Sequence, residues 1–280
     1  MKAIYYFLSI SFYLCFVSCN NNLEQNSEHL PYEELVQKNL VYMNMSRPTD
    51  SYNYPIYPGK EEWAILSNSQ EMVDACQVSK DILSTMSTQA VIQAIWEYPL
   101  LMEVFHRFQF YADFEGAFLA NNAYLELLNR NDAFACLFER LTLVNPLTIF
   151  PRFESQLIEL LISQTVFLSQ SNVSEKRKIV EIALQNNDKR QSNRTWVNSA
   201  INTSTQPITW VLVGRTLVAA GYLPFIELTS GNEQLRLFLD GWIPDSSSEL
   251  GKTGYSYLQP VYGNFPVDIG MSGKNFTNDL

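Results

Sequence analysis

From Glu61 to about Leu228, apolar residues return every three or four positions, the spacing that turns one face of an α-helix toward a core. Trp63, Ile65 and Leu66 lead into Met72, Val73 and Cys76. Ser87 or Thr88 is placed to cap a helix over Ala90–Tyr98, which Pro99 breaks or follows with the next. Leu100, Leu101, Val104, Phe105 and Phe108 then share one face. Asn121 or Asn122 caps Ala123–Asn129, and Asp132 caps Ala133–Leu143 with Phe134, Leu137, Phe138 and Leu141 inward. A long apolar helix is predicted over Phe153–Ser169, after Pro151. Ser174 caps Glu175–Asn186, whose Ile179, Ile182 and Ala183 face inward while Lys176, Arg177 and Lys178 stay in water. Pro207 opens Ile208–Tyr222, where about 15 residues with Arg215 at the middle fall short of the ~20 apolar residues that span a bilayer. This stretch is predicted to be a buried core helix.

The segments between these helices have a different composition. Residues 30–43 hold Leu35, Val36, Leu40 and Met43 at helical spacing, with Pro31 near the start. Residues 44–60 carry three prolines and three tyrosines, too much proline for a helix, and are predicted to cross the domain as an extended connector pinned by its rings. Residues 187–206 are polar and predict a loop. Beyond Gly241, Gly, Pro and aromatic residues dominate without a helical period, which predicts ordered coil, with or without a short hairpin around Tyr255–Val261. No fixed period relates the segments, so a regular repeat is not indicated. The fold class is therefore all-α: an irregular multi-helix bundle or array over residues 30–240, with a coil-rich aromatic tail over 241–280 packed on it.

The head of the chain follows another logic. Lys2 precedes an apolar run from Ala3 to about Val17, and no acid occurs before Glu24. About 15 residues make a helix of about 22 Å, shorter than the ~30 Å hydrocarbon core of a membrane. The run closes on Phe16-Val17-Ser18-Cys19. This arrangement resembles the lipobox of bacterial lipoprotein signal peptides, with Phe16 where Leu is usual. The resemblance implies cleavage after residue 18, acylation of Cys19, and a polar tether over residues 19–29 that begins Asn20-Asn21-Asn22. Two or more acyl chains anchor a protein stably, at about 0.8 kcal/mol per buried CH₂. Asn20 after the cysteine further implies the outer membrane, on its periplasmic or surface face. An ordinary cleaved secretory signal and an uncleaved N-terminal anchor are the simpler readings of the same residues.

Composition narrows the partners. The formal net charge is −10, and it becomes more negative once Lys2 leaves with the leader. Phosphate backbones call for clustered Lys and Arg, so nucleic acid is not expected. With Cys15 in the leader and Cys19 acylated, Cys76 and Cys136 remain as candidates for a disulfide outside the cytoplasm, or as small buried hydrophobes. His29 and His106 are the only histidines, which leaves a His-rich metal site without ligands. Glu103 and His106 have one Glu-x-x-His spacing where di-iron bundles need two. Gly251-Lys252-Thr253 lacks the first glycine of a P-loop, since Ser246 stands there. No cofactor is implied.

The stretch from Ser87 to Arg140 resembles a helical module of secreted bacterial proteins of unknown function. The Ser87-Thr88 start, the Tyr98-Pro99 break and the Arg130-x-Asp132-Ala133 step carry the likeness, which implies no activity. Aromatic residues cluster in the connector, with Tyr54 and Tyr57, and in the tail, with Trp242, Tyr255 and Tyr257. They are expected either to pin coil to the core or to contact a protein or glycan ligand by stacking. The expected function is a non-catalytic binding or interaction domain, exposed outside the cytoplasm and held at a membrane through Cys19. The alternative is a hydrolase of envelope or extracellular polymers working through paired carboxylates, and a structural part in an envelope assembly is a third reading.

Overall fold

A computed structural model describes residues 46–101, 118–147, 154–193, 200–240 and 265–278. The leader, Cys19, the tether, the helix expected over 30–43, most of the Leu100–Phe108 face and both histidines lie outside the described residues. Among the described residues every regular element is a helix, and the fold is an all-α multi-helix fold.

The first half is built from short pieces: α1 (Glu61–Ala64), α2 (Ser69–Ala75), α3 (Lys80–Thr85), α4 (Thr88–Trp96), α5 (Asn122–Leu127) and α6 (Ala133–Leu143). Side chains just outside the helices set where they start. Ser87 accepts from the Ala90 amide at α4, and Asn121 accepts from the Ala123 and Tyr124 amides at α5. Each such cap contributes about 1 kcal/mol. Asp132 precedes α6 as expected, but its carboxylate makes no cap and instead accepts from the Thr88 hydroxyl at 2.6 Å, joining the starts of α4 and α6.

The second half contains α7 (Glu154–Ile162), α8 (Thr165–Leu168), α9 (Val173–Ser192), α10 (Ala200–Ala219), α11 (Leu223–Ser230), α12 (Glu233–Leu239) and α13 (Phe265–Asn278). Helix α10 is the hub, packing on α7, α8, α9, α11, α12 and α13. Ile208, Val211, Leu212, Val213 and Leu217 are buried along it, as expected of a core helix. Among the described residues no single helix is long and apolar enough to cross a membrane. Ile208–Ala219 and Leu223–Ser230 meet that test only as a pair bent by 112°.

Several expectations are corrected here. The helix expected over Phe153–Ser169 is broken at Ser163-Gln164 into α7 and α8. Helix α9 is capped two residues before the predicted cap Ser174: Asn172 and Glu175 form a capping box, in which each side chain bonds the other's amide. Lys176 is buried rather than wet, its ammonium donating to the Ser171 carbonyl. The loop expected over 187–206 is helix up to Ser192 and again from Ala200, so Pro207 lies inside α10 instead of opening it. The tail is not coil throughout, because Phe265–Asn278 is helical. There Ile269, Gly270, Gly273 and Phe276 are all buried, a helical spacing in which two contact positions are glycine.

Candidate functional site

Two polar networks are buried within the apolar core, and a groove opens where three helices of the second half meet. In the first, Arg140 is fully buried on α6. Its guanidinium donates to the Gln89 side chain at 2.8 Å, the Gln93 side chain at 3.1 Å and the Gln89 carbonyl at 2.8 Å. It also lies 5.5 Å from the Trp96 ring. Gln93 passes a hydrogen bond to Glu97, whose two oxygens accept from Nε and Nη2 of Arg47, each at 2.8 Å. Burial pulls the Arg140 pKa down to about 10. This network ties the connector to α4 and α6.

In the second network, Arg190 on α9 is 2 % exposed and Glu159 on α7 is 0 % exposed. Arg190 donates to both Glu159 oxygens, at 2.6 and 3.2 Å, to Ser155 Oγ at 2.9 Å, to Thr209 Oγ1 at 2.8 Å and to the Pro146 carbonyl at 3.1 Å. Thr209 in turn donates to Glu159 at 2.6 Å, and Ser155 donates to Gln156 at 3.0 Å. Every donor of the guanidinium fork has an acceptor, and both carboxylate oxygens are used. Nearby, Gln156 Nε2, Asn186 Nδ2 and Trp210 Nε1 are buried without a hydrogen-bond partner among the described residues.

The groove lies where α9, α10 and α13 meet, with a volume of about 230 Å³. Leu184, Trp210, Gly270 and Met271 form its mostly apolar wall, and Asn187, Asp188 and Lys274 edge it. Trp210 is 7 % exposed and Met271 60 %. Gly273 lets α13 approach this closely, because a Cβ there would press on Val180 and Val213 at 3.2 Å, whereas a Cβ on Gly270 would meet the Trp210 ring at an ordinary 3.5 Å. Asp188 and Lys274 are exposed and form no ion pair among the described residues.

The residues singled out from the sequence lie elsewhere. Tyr54 is 5 % exposed, and its hydroxyl donates to the Ala94 carbonyl at 2.9 Å, so it pins the connector to α4 and is no exposed contact. Its ring meets Tyr52 and Tyr98 edge-on. Tyr57 is half-buried under the Lys60 ammonium, 4.6 Å from the ring centre. Trp242, Tyr255 and Tyr257 lie outside the described residues. Cys76 and Cys136 both stand as free thiols in this structure. Cys76 is buried, which pushes its pKa up to about 12. Cys136 is half-buried on α6, raised first by burial and then by Asp132 and Glu139.

Compared with protein-family models, curated proteins and solved structures, the chain finds no match. Its own geometry must therefore carry the functional reading. Among the described residues no three His, Cys, Asp or Glu side chains converge for a metal. Asp188, Trp210, Met271 and Lys274 were not legible as a site: the first falls in the expected loop and the last two in the expected coil. A tryptophan within the aliphatic run of α10 was the one available signal.

Proposed function

We propose that this chain is a membrane-anchored bacterial lipoprotein whose helical body is a non-catalytic binding domain held outside the cytoplasm. The anchor rests on the run ending at Cys19. The observation that supports a binding role is the content of the groove: one carboxylate and one ammonium at the rim of an apolar wall, from two different helices. Glycoside hydrolysis calls for two carboxylates facing one bond. Two of the three buried acids among the described residues, Glu97 and Glu159, have both oxygens bonded to arginine, which counts against those two acting as free acids or bases.

Metabolic labelling with a palmitate analogue in a Gram-negative host tests the anchor. Label is expected on the wild-type chain in the membrane fraction and absent from Cys19→Ser. Label on neither form, with both in the cytosol, overturns it. Incubation of the purified chain with envelope glycans is expected to release no reducing ends. Release that is lost in a carboxylate variant would favour the hydrolase instead.

A further inference from the structure

We infer that the groove between α9, α10 and α13 is a site for a free apolar α-amino acid, held as its zwitterion; this deepens the binding reading above and rests on it. Size comes first. About 230 Å³ is below the ~300–1,000 Å³ of sites for drug-sized ligands, a size that suits a small amphiphile. The wall comes next: Leu184, Met271 and the Trp210 ring offer apolar surface, and Gly270 has no side chain to cover that ring.

The rim decides the ligand class. Asp188 on α9 and Lys274 on α13 border the same groove, and neither is ion-paired among the described residues. A purely apolar ligand leaves both charges unused. A ligand with a single charge satisfies one and meets repulsion from the other. A zwitterion complements both, its ammonium toward Asp188 and its carboxylate toward Lys274, with its side chain against Trp210. The Asn187 amide supplies one further donor and acceptor at the rim. On a chain of net charge −10, a cation alone would be drawn to much of the surface, so Lys274 is the group that selects for a carboxylate.

The test is calorimetric titration of the purified full chain carrying Cys19→Ser with L-leucine, N-acetyl-L-leucine and L-leucinamide. Asp188→Asn and Lys274→Gln change exposed side chains and leave the fold intact. Leucine is expected to bind saturably, and each variant to weaken it by about two- to five-fold, as solvent-screened ion pairs do. N-acetyl-leucine is expected to lose nothing further in Asp188→Asn, and leucinamide nothing further in Lys274→Gln. Equal binding of the three ligands, or leucine binding indifferent to both variants, overturns the assignment. A groove that takes isoamyl alcohol but not leucine overturns the amino-acid assignment alone. A groove that takes neither removes the binding reading with it.

Discussion

Replacing Arg190 with methionine tests whether the second interior network is structural. Arg190→Met keeps much of the aliphatic stem but removes five donors. Glu159, 0 % exposed, would keep only the Thr209 hydroxyl at 2.6 Å, and the Pro146 carbonyl would lose its donor. Stranding one member of a buried ion pair costs about 3–5 kcal/mol, and the orphaned carbonyl about 1 kcal/mol or more. A domain of ordinary stability has only about 5–15 kcal/mol to lose. Urea unfolding followed by helical circular dichroism reads this directly: with a slope of roughly 3 kcal/mol per molar, the midpoint falls by about 1–2 M. The control is the cycle with Glu159→Leu. Removing both charges leaves no stranded ion, so the double variant is expected to be more stable than Arg190→Met alone, with a coupling on the order of 2–3 kcal/mol. A loss under about 1 kcal/mol in Arg190→Met, or single-variant effects that simply add, would refute the reasoning.

Iodoacetamide with peptide mapping at mildly alkaline pH should label half-buried Cys136 while Cys76, held near pKa 12 by burial, reacts only after denaturation; absence of label on both unless reductant is added would mean that they pair. Gly214→Ala drives a methyl into Leu239 and is expected to lose about 1–3 kcal/mol, whereas Gly270→Ala meets Trp210 at an ordinary 3.5 Å and should gain about 0.5–1 kcal/mol of helix propensity; equal melting shifts would show the packing argument wrong. Asp50 accepts from the Ser87 amide and hydroxyl, and chiefly the amide bond lowers its pKa, so its stabilisation is full above about pH 4 and disappears as pH falls through the lowered folded value. Because the group is exposed, Asp50→Asn should cost under about 1 kcal/mol at neutral pH and progressively less as pH falls into acid, so an undiminished gap in acid would contradict the linkage.

What the sequence revealed depended on how local the cause was. Ser87 and Asn121 were readable as caps because a cap bonds amides two or three residues away. The Asn172-x-x-Glu175 capping box was equally local, and Ser174 drew attention from it only by being another good cap residue. Lys176 was misread because three successive cations look like a solvated face, although only Lys178 of the three is exposed. Arg190 made its segment look like loop. Its partner Glu159 lies 31 positions earlier, and nothing nearby marks an inward-facing guanidinium. In the tail, Gly270 and Gly273 hid the helix by lowering local propensity, and Gly273 in return permits the close approach of α13 to Val180 and Val213. The groove was illegible for the same reasons, since Asp188 and Lys274 come from the two segments whose helicity tertiary packing provides.

The same arginines explain how an array without a repeat holds one arrangement. Short helices multiply ends, and each end leaves carbonyls without an intrahelical donor. Arg130 donates to the carbonyls of Leu83 and Met86 at the end of α3, at 2.8 and 3.0 Å. Arg215 donates to the Leu239 carbonyl at the end of α12 at 2.6 Å and to the Ser163 carbonyl at the α7–α8 break at 3.4 Å. Arg190 takes up the Pro146 carbonyl in the turn that follows α6. A guanidinium can serve two breaks at once because its five donors form a rigid fork on a long stem. Each bond joins elements tens of positions apart, so it fixes how helices sit against one another as well as satisfying an end. A regular solenoid achieves this by repeating one interface. This chain does it with individually placed arginines, which is why hydrophobic periodicity predicts its helices but not their arrangement.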